Sequence, residues 1–224
     1  MRRSPKKKIK EPDNSIPYYK LVLIGENNIG KTQLLHRFNK EEYQSTYYPT
    51  FGLDFRIKSK LDDKGKLLYD VQIIEIAGKE DKMHEEIEGD FINSAHALLC
   101  VFDISDEYSI KRVIEIKEEY EGKLNPNSFP KKWYLIGNKK DKDLLGKKIP
   151  PQYKYKFDNY FEISAKTSIE AEFDKILNVI ITELNMSFRE HNIPNMDDGE
   201  ENEKFEIDFL KAHGDIFNEE CQIF

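Results

Sequence analysis

The feature that most constrains this chain is eight residues long. Gly25-Glu26-Asn27-Asn28-Ile29-Gly30-Lys31-Thr32 fits the GxxxxGK[ST] pattern of a phosphate-binding loop. Before it, Tyr19-Lys20-Leu21-Val22-Leu23-Ile24 has the character of a buried strand; after it, Lys31 to Asn39 has that of a helix. A glycine-rich loop in that setting turns backbone amides and a helix N-terminus toward an anion. Lys31 adds a point charge, and the Thr32 hydroxyl can ligate magnesium. The bland alternative is a glycine-containing turn that happens to precede a helix, and the flanking strand and helix argue against it. Gly25, Asn27, Asn28, Ile29, Gly30, Lys31 and Thr32 are therefore the expected phosphate-binding residues.

A phosphate loop does not choose a base. That choice is carried by Asn138-Lys139-Lys140-Asp141, directly after the apolar run Trp133 to Gly137. The Asp141 carboxylate can accept hydrogen bonds from both the N1–H and the exocyclic amine of guanine. Adenine offers no matching donor pair, so the acceptors would go unpaired. Alone, Asn-Lys-x-Asp is a polar loop found in many proteins; its weight comes from standing downstream of the phosphate loop.

Between and beyond these motifs, strand patterns alternate with helical ones. Phe51 to Leu61 and Leu67 to Ile76 flank Asp62-Asp63-Lys64-Gly65-Lys66, a turn cluster that predicts a hairpin. Ala97 to Phe102 and Tyr160 to Ile163 predict further strands, Glu107 to Glu121 a charged surface helix, and Ser168 to Arg189 a long helix. Such alternation predicts an α/β fold with a mainly parallel sheet covered on both faces. With 224 residues and 38% apolar content, one domain over 17–190 is expected, behind a basic disordered arm over 1–16 and ahead of an acidic flexible tail over 191–224. The net charge of −7 and a pI near 5.4 argue against nucleic-acid binding. The two cysteines suggest no disulfide framework, and no apolar stretch of spanning length or secretory leader is recognisable, so a cytoplasmic protein is expected.

On these motifs the chain, from about Tyr18 to Arg189, resembles the Ras superfamily of small GTPases. The resemblance implies a P-loop NTPase G domain: a six-stranded, mostly parallel sheet with one antiparallel strand and helices on both faces. It implies that Ser164-Ala165-Lys166 is a second base-contacting loop, with the Ala165 N–H facing the guanine carbonyl, and that Tyr43 flanks the ring. The implied guanine set is thus Tyr43, Asn138, Lys139, Asp141, Ser164, Ala165 and Lys166. Tyr47-Tyr48-Pro49-Thr50 looks like a first switch, in which Thr50 ligates magnesium and bonds the γ-phosphate in the triphosphate state. The Gly78 N–H is placed by the same resemblance to report that phosphate. Pro49 to Phe55, Phe91 to His96 and Val101 to Ser105 are most similar to the Rab branch. The resemblance implies a monomer that binds GTP and GDP with magnesium. Its implied partners are effectors, exchange factors and GTPase-activating proteins, in membrane traffic or signalling.

The pattern breaks at the γ-phosphate end. Where the family usually has Asp-x-x-Gly followed by glutamine, this chain has Glu75-Ile76-Ala77-Gly78-Lys79. Glu75 keeps the charge that holds a magnesium-bound water but is one methylene longer. Lys79, a donor with no acceptor, cannot orient the attacking water as glutamine does; it is either a solvated surface lysine or a contact to phosphate. Asn27 adds bulk beside the same phosphate. Slow hydrolysis is expected, the alternatives being a hydrolysis-deficient nucleotide-binding scaffold and an ATP-dependent P-loop enzyme. Finally, Cys221-Gln222-Ile223-Phe224 fits a C-a-a-X prenylation signal of geranylgeranyl type. One isoprenoid, with Asp215, Glu219 and Glu220 nearby, predicts reversible attachment to the cytoplasmic face of a membrane. The basic arm either assists that attachment or merely solubilises.

Overall fold

The computed structural model describes residues 17–46, 50, 52–76, 85–125, 131–142 and 149–191. The expected arm over 1–16 and the tail from 192 onward, with Cys221, lie outside them, as do Gly78 and Lys79. The described chain runs β1 (Tyr18–Ile24), α1 (Lys31–Phe38), β2 (Leu53–Leu61), β3 (Leu67–Ile76), α2 (Glu85–Ser94), β4 (Ala97–Asp103) and α3 (Glu107–Lys123). It continues through β5 (Lys132–Asn138), a 3-10 turn (Lys140–Lys142), α4 (Pro151–Lys154), β6 (Asn159–Glu162) and α5 (Glu170–Glu190). The six strands form one sheet in the order β2-β3-β1-β4-β5-β6, with β2 antiparallel to β3 and every other pairing parallel.

Period-two alternation sorts the apolar side chains into two cores. Tyr19, Leu21 and Leu23 of β1 join Leu99 and Val101 of β4 beneath Leu34, Leu35 and Phe38 of α1 and Phe173, Ile180 and Leu184 of α5. Val22, Ile24, Leu98, Cys100 and Phe102 point the other way, under Phe91 and Ile92 of α2 and Ile110, Val113 and Tyr120 of α3. Strands buried on both faces read as unbroken apolar runs, which is why β1, β4 and β5 were legible. The expected hairpin forms through its turn chemistry: Asp62 Oδ1 accepts the N–H groups of Lys64 and Lys66 at 2.8 Å, and Gly65 takes φ +77°.

Two differences from the sequence reading have local causes. Helix α2 was not predicted, because its ten residues carry Gly89 and few apolar positions. Helix α5 begins at Glu170 rather than Ser168, because Ser168 is engaged in the preceding loop, where its Oγ accepts the Ser164 N–H at 3.2 Å. Glu172 then caps the helix by accepting the Ile169 N–H at 3.0 Å. The short helix α4 starts at Pro151, with proline in its first turn.

Candidate nucleotide-binding site

Strand β1 pairs with β3 on one side and β4 on the other, so successive connections leave it in opposite directions. In open α/β sheets, ligands bind beyond the carboxyl ends of the strands at such a point. The loop that follows β1 there is Gly25 to Gly30. Gly25 takes φ +147°, and a Cβ on it would lie 2.5 Å from the Val101 carbonyl oxygen; Gly30 takes φ +91°, and its Cβ would lie 2.5 Å from Asn138 Nδ2. Both glycines are therefore required by conformation and by space. Asn28 adds a left-handed φ of +60°. Lys31 is buried, and its Nζ donates to the carbonyls of Gly25 at 3.0 Å and Glu26 at 2.8 Å. Burial pushes its pKa down, while Glu75 and Glu26 pull the other way.

The motif after β5 is welded to this loop. Asn138 is buried; its Nδ2 donates to the Ile29 carbonyl at 2.8 Å, and its Oδ1 accepts the Ala165 N–H at 3.1 Å. Lys139, with a left-handed φ of +61°, sends Nζ to the Asn28 carbonyl at 2.7 Å and to Asp103 Oδ2 at 2.8 Å. Burial raises the Asp103 carboxyl, but hydrogen bonds from Lys139 and Ser105 outweigh it and hold the group below its ordinary value. Asp141 is exposed and accepts the Ser164 hydroxyl at 2.5 Å; the same Ser164 oxygen accepts the N–H groups of Lys166 and Thr167 at 3.2 and 3.1 Å. Phosphate loop, Asn138 segment and Ser164 loop thus form one hydrogen-bonded unit.

On the other flank, three oxygen-bearing side chains converge. Thr32 Oγ1 donates to Glu75 Oε1 at 2.9 Å and lies 3.0 Å from Thr50 Oγ1. Glu75 is buried, and its Oε2 has no hydrogen-bond partner. Burial pushes its carboxyl up to about 7 against the opposing pull of Lys31 and the Thr32 hydroxyl. Hard oxygen donors and an unmatched buried carboxylate oxygen fit magnesium. Among the described residues no three His, Cys, Asp or Glu side chains are grouped to hold a metal.

Of the remaining expected residues, Asn27 and Asn28 are exposed on the loop, and Tyr43 is exposed in the segment after α1. That segment is tied to the helix by Gln44 N–H donating to Gln33 Oε1 at 2.8 Å. Sequence reasoning missed two contributors. Asp103, an acid ending an apolar strand, carried a usable signal. Arg112 of α3 carried none; it pairs through Nε with Glu26 Oε1 at 3.1 Å, gripping the phosphate loop from outside.

Strand order, switch point and loop geometry define a P-loop GTPase fold. The Ras family model matches residues 20–185, and the chain belongs to that family. Similar curated proteins are Ras-related protein Rab-8 of Diplobatis ommata, 33% identical over 188 residues covering 78% of this chain and 83% of that one. Ras-related protein Rab-8B of Pongo abelii is 33% identical over 187 residues, 78% and 84% of the two chains. GTP-binding protein yptV2 of Volvox carteri is 32% identical over 161 residues, 68% and 70%. The chain is a Rab-like small GTP-binding protein of the Ras superfamily.

Proposed function

We propose that this protein is a Rab-like switch that binds GTP and GDP through Gly25 to Thr32, reads guanine through Asp141 and the Ser164 loop, and hydrolyses GTP slowly. The observation that carries the reading is Asn138, whose amide joins the Ile29 carbonyl to the Ala165 N–H and so holds phosphate and base loops at a set separation. Lys31 is preorganised on two carbonyls from which it can turn to a phosphate. Thr32, Thr50 and Glu75 would hold magnesium, which supplies charge neutralisation at the phosphates. Thr50, on the segment between α1 and β2, is the residue whose engagement with the γ-phosphate would distinguish the two nucleotide states.

Slow hydrolysis rests on Lys79, which has no acceptor with which to orient water. Single-turnover hydrolysis of bound GTP tests it: Lys79→Gln is expected to accelerate the wild-type rate at least tenfold, and an unchanged rate sinks the assignment. A complete absence of turnover in both proteins favours the scaffold reading instead. Effector recruitment and attachment to a cytoplasmic membrane face through a lipid on Cys221 belong to the same proposal. The mass of the native C-terminal peptide checks the lipid.

A further inference from the structure

We infer that Glu75 is an inner-sphere ligand of the divalent cation, taking a coordination position that water fills when the carboxylate is one methylene shorter. The inference rests on the nucleotide-switch reading and concerns one residue within it. Glu75 cannot withdraw from the site, because its backbone lies opposite Leu23 of β1 on one side and Asp54 of β2 on the other. Its side chain is buried and its Oε1 stands 2.9 Å from Thr32 Oγ1, while Thr50 Oγ1 stands 3.0 Å from the same atom. Thr32, Thr50 and Glu75 thus bring three oxygen-bearing groups to one place, Thr32 within hydrogen-bond distance of each of the other two.

Two further observations favour direct ligation. Glu75 Oε2 is buried without a hydrogen-bond partner, and the Lys31 ammonium is engaged by the Gly25 and Glu26 carbonyls. Interposing a water requires room between carboxylate and ion, and the extra methylene advances the carboxylate by about 1.3 Å into that room. The longer side chain therefore replaces the water rather than holding it.

Manganese substituted for magnesium gives the test. The full chain is loaded with GDP and Mn²⁺, and coordinated waters are counted from electron paramagnetic line broadening in ¹⁷O-enriched water. Wild type is expected to hold one water fewer than Glu75→Asp; equal counts overturn the inference. Wild-type protein labelled with ¹³C only at glutamate carboxylates gives an independent reading should the variant be poorly folded. A ¹³C coupling at the manganese centre supports direct ligation, and its absence overturns it. GDP binding is measured in parallel by displacement of a fluorescent GDP. Bound GDP with equal water counts removes this inference alone, whereas failure to bind GDP removes the switch reading as well.

Discussion

Asn138 shows how much one side chain can be asked to do. Its amide is fully buried, donates to one loop and accepts from another, and fills the space that a Gly30 side chain would need. Asn138→Leu keeps the volume but leaves the Ile29 carbonyl and the Ala165 N–H unpaired, at about 1–3 kcal/mol each. Chemical unfolding is expected to show a loss of roughly 2–6 kcal/mol, together with weaker nucleotide binding. A loss below about 0.5 kcal/mol would mean the two loops are held by something else. At this scale the sequence was informative only where a motif is local. Gly25 to Thr32 is contiguous, so its chemistry could be read directly. The convergence of Thr32, Thr50 and Glu75 depends on the register of β3 against β1, which no local pattern reports.

Elements are joined at their starts as tightly as at the site. His96, just before β4, donates its N–H to the Lys20 carbonyl at 2.8 Å and accepts the Lys20 N–H on Nδ1 at 2.8 Å, closing the β1–β4 junction. Burial, then Lys131 and Lys20, push its pKa from 6.5 down to about 3, so folded His96 is neutral. The sign follows from proton binding: the unfolded chain takes up a proton near 6.5 that the folded chain refuses until about 3. The stability involved is complete above about 6.5 and drains as pH falls toward 3, at up to about 1.4 kcal/mol per pH unit. His96→Asn is expected to flatten the urea-midpoint curve across that window, and an unchanged slope would show that His96 is not the proton acceptor. Helices were legible where amphipathic, as in α3, whose Ile110, Val113 and Tyr120 face the core. Helix α2 escaped notice because Gly89 and its acidic start resemble a loop more than a helix.

The whole molecule is organised so that the carboxyl ends of four parallel strands deliver different parts of one site. β1 leads into the phosphate loop, β3 delivers Glu75, β4 ends in Asp103 and β5 in Asn138. The alternation of strand and helix foretold that sheet, and sheet order then places the loops without further assumption. What sequence could not supply is the tying of loop to loop, by Lys139 to Asn28 and Asp103 and by Arg112 to Glu26, since each spans helices and strands between its partners. No helix among the described residues is long and apolar enough to cross a membrane. A site so cross-braced links nucleotide binding to folding: ligand at 100 times its dissociation constant adds about 2.7 kcal/mol.

Base selection is where the account stands or falls. Competition of GDP, GTP, ADP and ATP against a fluorescent guanine nucleotide, on the purified full chain with magnesium present, measures it directly. GDP and GTP are expected to displace the probe at concentrations at least a thousandfold below ADP and ATP, because adenine leaves Asp141 without its two donors. Displacement by ATP as readily as by GTP would contradict the assignment of this protein as a guanine-nucleotide switch.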